Sequence, residues 1–167
     1  MLVALSYLFG LFIVCALIFA SAHNRLIRLQ HQAEQSLSTV EVVLSERHHL
    51  LRQLMQALEL QNQQAAQLLE TAERAKALPM RSSEKQRLEL ELSSYTRDLM
   101  ERPEQLPASP GHLHFQRSIR EVESQLSASW RAYNAAAIAY NRALHSFPTN
   151  IAGQLLKLDP APLYQNQ

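Results

Sequence analysis

The sequence contains few residues that interrupt helices and few that carry common chemistry. Glycine occurs only 3 times in 167 residues, which excludes a glycine-rich loop for phosphate binding. All 7 prolines follow residue 78, so no proline ends a helix in the first half of the chain. The single cysteine, Cys15, excludes an intramolecular disulfide and gives no indication of the redox compartment.

Neither sign of charge is in excess. Sixteen Lys and Arg residues against fifteen Asp and Glu residues give a net charge of +1. A nucleic-acid-binding protein needs a clustered basic excess, so no nucleic-acid partner is expected. The chain is instead rich in Ala, Leu, Gln, Glu, Arg and Ser, a composition typical of helices. We therefore predict an all-α protein.

The first 22 residues carry no charged side chain, and the segment from Leu2 to Ala22 is apolar. A helix of this length spans about 30 Å, the thickness of the hydrocarbon core of a bilayer. We predict that residues 1–23 form an uncleaved transmembrane anchor. A cleaved signal peptide is the alternative, because Ala20-Ser21-Ala22 fits a cleavage site, but the segment lacks a basic n-region and its apolar stretch is long.

Basic residues next to the anchor predict its orientation. Arg25 and Arg28 follow it, and no Lys or Arg precedes it. Because basic residues favour the cytoplasmic side, we expect the N-terminus outside and residues 23–167 in the cytoplasm.

A long helix is predicted after the anchor, because residues 24–78 contain neither Pro nor Gly. Apolar residues recur there at seven-residue intervals, which is typical of a coiled-coil seam, and Arg47 and Gln61 interrupt it. We predict that this helix runs without a break through Arg52. The two rows of the seam are Leu37, Leu44, Leu51, Leu58, Ala65 and Ala72, and Ala33, Val40, Arg47, Leu54, Gln61 and Leu68.

Two further helices complete the predicted fold. Ser83 and Gln86 resemble a capping box that begins a short helix, and three prolines in residues 102–111 predict a loop. The last helix is expected from about His112 to Ser146. We predict an elongated antiparallel helical bundle over residues 24–150 and an irregular tail over 151–167. The apolar stripe of the last helix is Phe115, Ile119, Val122, Leu126, Trp130, Tyr133, Ala137, Tyr140, Leu144 and Phe147.

The C-terminal third contains a specific motif. The pair Tyr133-Asn134 recurs seven residues later as Tyr140-Asn141, and Phe147-Pro148-Thr149-Asn150 follows. This order resembles the LemA family, bacterial proteins with an N-terminal transmembrane helix and a helical-bundle domain. Residues 47–54 resemble the Arg-x-Asp-Leu-Ile-Pro-Asn-Leu motif of the family, and residues 101–115 resemble its Glu-x-Pro-x-Leu-x-Ala segment before a Phe.

Several positions depart from the family pattern. His49, Arg52 and Gln53 stand where the family motif has Asp, Pro and Asn, and His23-Asn24 stands where it has Tyr-Asn. If that motif mediates a shared activity, most of it is missing from this chain. The resemblance thus implies a fold and a membrane location, and it implies no established activity.

The residues of the family signature form the candidate site, which has a functional and a structural interpretation. In the functional one, a polar cluster receives a partner or ligand. In the structural one, buried hydroxyl and amide groups fix the register of packed helices. We favour the structural one and expect the rings of Tyr133 and Tyr140 to pack toward the first helix. The candidates are Tyr133, Asn134, Tyr140, Asn141, Phe147, Pro148, Asn150 and Arg47.

The remaining polar residues are interpreted as surface groups. His48 and His49 diverge on a helix and cannot chelate one ion. Glutamates such as Glu89 and Glu123 are expected on a solvated face paired with arginines. We therefore predict no metal, no cofactor and no enzymatic activity.

These observations favour a non-enzymatic interaction or scaffold protein at the bacterial inner membrane, with protein partners and possible self-association. A membrane-linked sensory module is the alternative, followed by an enzyme accessory protein with an unrecognised site.

Overall fold

The described residues of the computed structural model, 2–57, 63–80, 82–101 and 110–164, form five helices and no strand. This confirms the prediction of an all-α helical bundle. The helices are α1 (Leu2–Ala57), α2 (Gln63–Ala77), α3 (Ser83–Glu101), α4 (Pro110–His145) and α5 (Thr149–Leu155).

Helix α1 continues from the apolar segment to Ala57. The prediction that it passes through Arg52 without a break is confirmed, although Arg52 stands where the family motif has proline. Within α1, the stretch Val3–Gln53 is long and apolar enough to cross a membrane, and none of its most apolar window is buried. A bare apolar surface of this kind is unfavourable in water and suits a lipid environment, although a signal sequence meets the same criteria.

Helix α2 lies beside the end of α1, so the prediction of one helix as far as Leu78 is wrong. Leu51 shares a core with Ala72 and Ala75. In one straight helix, residues 51 and 72 would lie about 31 Å apart. The chain has therefore turned back between α1 and α2, and the positions where it turns lie outside the described residues.

The described chain divides into two compact units, and α1 and α4 contribute residues to both. Unit 2 comprises Ser38–Trp130, and its core draws on α1, α2, α3 and α4. The oxygen atom of the Ser82 side chain accepts a hydrogen bond from the Lys85 N–H at the start of α3. The helix cap is therefore Ser82, one residue before the predicted Ser83. The core of unit 2 contains Leu51, Ala72, Ala75, Leu88, Leu92 and Ile119.

Unit 1 comprises Met1–Leu37 of α1 and Arg131–Gln165, with the end of α4, α5 and the residues after it. A Cβ on Gly153 of α5 would lie 2.6 Å from Leu144, so glycine permits the close approach of α5 to α4. The tail was predicted to be irregular from residue 151, but α5 extends to Leu155. Residues 159–164, the C-terminal strap, have no regular secondary structure. The core of unit 1 contains Leu26, Tyr140, Ala143, Leu144 and Ala152.

Candidate functional site

Helix α4 positions the two Tyr-Asn pairs. Residues seven apart are almost two full turns apart, so Tyr133 and Tyr140 lie on one face of α4, and both are buried. Tyr140 packs in the core of unit 1 with Leu26 of α1, which confirms that its ring faces the first helix. Asn134 and Asn141 lie one position further round the helix and are half-buried. The side chains of all four residues form hydrogen bonds with the C-terminal strap.

Each asparagine holds one residue of the strap by both of its main-chain polar groups. The Asn141 amide donates to the Ala161 carbonyl oxygen at 2.8 Å, and its Oδ1 accepts from the Ala161 N–H at 2.8 Å. Asn134 makes the same pair of bonds with Tyr164, at 2.7 and 3.0 Å. A carboxamide used in this way replaces the hydrogen bonds that a neighbouring β-strand would supply, which leaves these main-chain groups of the strap paired.

Each tyrosine donates its hydroxyl to a strap carbonyl two residues before the one held by the adjacent asparagine. The Tyr140 hydroxyl lies 3.1 Å from the Asp159 carbonyl oxygen, and the Tyr133 hydroxyl lies 2.8 Å from that of Pro162. The same arrangement thus occurs twice, seven residues apart on α4 and three residues apart on the strap. Seven helical residues advance about 10.5 Å, and three extended residues advance about 9–10 Å, so the two repeats match.

The strap also inserts an aromatic ring. Tyr164 is 6% exposed, and its ring meets that of Tyr133 edge-on, with centroids 5.2 Å apart. Such aromatic pairs contribute beyond the apolar area that they bury. The sequence analysis expected the Tyr-Asn pairs to bind a neighbouring helix, and that expectation is corrected: their polar groups bind an extended segment. The signal for it was the repeat itself, combined with Pro160 and Pro162 in a region that cannot be helical.

The Phe-Pro-x-Asn residues are not part of this arrangement. Phe147 is 80% exposed, so its place in the predicted apolar stripe is wrong: α4 ends at His145, and the helical period no longer applies beyond it. The Thr149 hydroxyl donates to carbonyl oxygens near the end of α4, including that of Ser146 at 2.8 Å. Pro148 precedes α5. Asn150 lines an open pocket of about 370 Å³ in unit 1.

Arg47 belongs to unit 2, where it forms a buried charged cluster. Its side chain is completely buried and forms an ion pair with Glu89 of α3. Its Nη1 also donates to Ser93 Oγ at 2.7 Å and to Glu123 Oε1 of α4 at 3.3 Å. The polar interruption in the apolar seam is thus an ion-paired arginine that connects α1, α3 and α4.

Two surface assignments made from the sequence are wrong. His48 and Glu89 are both buried, and His48 Nε2 lies 3.2 Å from Glu89 Oε1. Burial by itself would raise the pKa of the Glu89 carboxyl group. The hydrogen bond with His48 and the charges of Arg47, His48 and Lys85 outweigh this effect and hold the pKa below its ordinary value. Glu89 is therefore ionised at neutral pH.

The lowered pKa of Glu89 predicts how stability depends on pH. The ionised carboxylate favours the folded chain fully above the ordinary glutamate pKa of about 4.3, and this contribution is lost as pH falls through the lower folded value. We expect the urea midpoint of the full chain to fall with acidification below about pH 5. Glu89→Gln should be less stable at neutral pH and should show a smaller decrease. Parallel pH profiles of the two chains would contradict the role assigned to Glu89.

The described parts of the chain contain no group of three or more His, Cys, Asp or Glu residues that could hold a metal ion. The structure thus brings the four Tyr-Asn residues together in unit 1 and places Arg47 in a separate cluster in unit 2. Sequence reasoning missed the strap, His48 and Glu89. Neither isolated histidines nor isolated glutamates on a helix carry a signal of their burial, because burial depends on which helix packs against them.

Comparison with known proteins agrees with the arrangement of these motifs. No curated protein matches the chain. The family model for the LemA family matches residues 36–167, which is well over half of the chain and includes both Tyr-Asn pairs, Arg47 and the strap. The chain belongs to the LemA family.

Proposed function

We propose that this chain is a membrane-anchored, non-enzymatic interaction protein whose helical bundle binds protein partners. The observation that supports the proposal is the use made of the Tyr-Asn pairs. Four side chains on α4 direct their hydrogen bonds to the main chain of an extended segment, which is how a protein recognises a peptide.

The exposed apolar part of α1 supports the membrane location. In this proposal the anchor is retained in the bacterial inner membrane. Arg25 and Arg28 keep the bundle in the cytoplasm, with the N-terminus outside.

Photocrosslinking in whole cells tests the proposal. A photoreactive residue replaces Ala132 or Ala139, both exposed on α4, and Glu91, exposed on α3, serves as the control position. We expect a defined protein adduct from the α4 positions, none from Glu91, and a membrane-extracted chain of full-length mass. A chain that begins at His23 in the soluble fraction, or the absence of adducts at Ala132 and Ala139, would contradict the proposal.

A sensory module is the second candidate, and the continuity of α1 favours it. One helix extends from the apolar segment to Ala57 without interruption. Such a helix can transmit a small shift from the membrane to the bundle. A partner that carries a signalling output domain, identified in the crosslinked adduct, would favour this function over a scaffold.

A further inference from the structure

The Tyr-Asn site binds the backbone of the strap rather than its side chains. All six hydrogen bonds described above end on main-chain N–H or C=O groups. An asparagine that holds the N–H and C=O of one residue does not distinguish which side chain that residue carries. The site is therefore suited to other segments, provided that they are extended.

The prolines of the strap fit the pattern of donors that the site uses. The two strap N–H groups that donate to α4 belong to Ala161 and Tyr164. Proline has no N–H, and Pro160 and Pro162 occupy positions from which the site takes no hydrogen bond. Proline also favours the extended conformation and reduces the entropy lost on docking.

The side chains that the strap buries recur every third residue. Leu158 and Ala161 pack against the core of unit 1, and Tyr164 is buried against Tyr133. Leu163, between them, is 53% exposed. Three residues per turn is the period of a polyproline helix, so one side of such a segment faces the site throughout. The pattern selected is an apolar residue, a small residue and an aromatic residue at intervals of three.

The strap joins α5 through a short connection that can change conformation. Lys157 in this connection has φ of 50°, in the left-handed region that residues with a side chain disfavour. Release of the strap would allow Lys157 to leave this region.

We propose that the Tyr-Asn site of α4 is a receptor for an extended segment of a partner protein, and that the chain's own strap occupies it as a displaceable competitor. The ligand is an extended, proline-tolerant peptide with apolar, small and aromatic residues three apart. This inference rests on the proposed interaction function and adds to it the class of partner and a form of regulation. A partner binds only by displacing the strap, so weakening the strap strengthens binding.

A partner segment suits the site better than the strap of a second copy. The chain's own strap is present at a high effective concentration because it is covalently attached. An identical strap from a second copy makes the same contacts and lacks this advantage. A partner segment that makes additional contacts outside the site can overcome it.

Peptide binding to the purified full chain in detergent tests the proposal. The probe is a fluorescent, C-terminally amidated peptide with the sequence of residues 158–164, followed by anisotropy. The wild-type chain should bind weakly because its strap fills the site. Tyr164→Ala removes the buried ring of the strap and should lower the apparent Kd about tenfold, since the vacant fraction of the site rises. Ala161→Pro in the chain, which removes one strap donor, should act in the same direction.

A second set of variants identifies the site. In the Tyr164→Ala chain, where the strap no longer competes, Asn141→Ala should raise the Kd about tenfold through the loss of two hydrogen bonds. A peptide with proline in place of Ala161 lacks the N–H that Asn141 accepts and should bind more weakly. The matched control peptide has alanine at the exposed position of Leu163 and should bind like the original.

Two results would overturn the inference. If neither strap-weakened chain binds the peptide while circular dichroism shows native helix content, the strap is a fixed part of the fold. If light scattering shows dimers that the free peptide dissociates, the occupant is a second copy and not a partner. Neither result bears on crosslinking at Ala132 and Ala139 in cells, so this inference can fail while the proposed function stands.

Discussion

Glu89→Gln should lower the free energy of unfolding by about 3 kcal/mol, because it leaves the buried guanidinium of Arg47 without its main counter-charge. Arg47 is 0% exposed and has no access to water that could replace the lost carboxylate. Glu123 remains, but it is partly exposed and its contact with Arg47 is longer. Urea unfolding of the full chain in detergent, followed by Trp130 fluorescence, measures the change within unit 2.

The exposed ion pair between Arg52 and Glu73 provides the matched control. Glu73→Gln should cost less than about 1 kcal/mol, because water and salt screen an exposed pair. Replacing both Arg47 and Glu89 by Met should recover part of the loss, since no charge then remains buried without a partner. Equal destabilisation by Glu89→Gln and Glu73→Gln would contradict a special role for the buried cluster.

Tyr140→Ala should lower the free energy of unfolding by about 3–5 kcal/mol, the range for truncating a large buried aromatic side chain. The ring is 3% exposed and packs with Leu26 and Leu144, and its hydroxyl donates to the strap. The substitution therefore removes packing in the core and one bond to the strap. Urea unfolding of the full chain, followed by circular dichroism, measures the effect.

Two milder variants separate packing from hydrogen bonding at this site. Tyr140→Phe keeps the ring and should cost about 0.5–1.5 kcal/mol, the net value of one hydrogen bond. Asn141→Ala removes two bonds to Ala161 and should cost about 1–2 kcal/mol. If Tyr140→Phe is as damaging as Tyr140→Ala, the hydroxyl and not the ring dominates, and the assignment of Tyr140 to the core is wrong.

Much of the helical framework could be predicted because helices leave local signals. The absence of Pro and Gly predicted the continuity of α1 through Arg52, and the spacing of Ile119, Val122 and Leu126 predicted the buried face of α4. The end of α1 could not be predicted in this way. Residues on both sides of that end favour a helix, so the position of the turn depends on the gain from packing α2 against α1.

The partner of the Tyr-Asn pairs could not be predicted because the contact joins distant parts of the chain. The repeat placed two tyrosines and two asparagines on one side of α4, and that was correct. Whether their polar groups meet a helix, a ligand or an extended segment depends on where α5 directs the chain. A hydrogen bond between Asn141 and Ala161 leaves no trace in the local sequence around either residue.

By itself the sequence determined that this protein is all-helical, that one apolar segment begins it, and which faces of α1 and α4 are apolar. These properties follow from propensity and periodicity, which act over a few neighbouring residues. Tertiary structure alone decided that α2 turns back on α1, that Arg47, His48 and Glu89 meet in a buried cluster, and that residues 159–164 fill the Tyr-Asn site. Each of these depends on contacts between residues far apart in the chain. Their free energies are set by burial and pairing across helices, which no local pattern specifies.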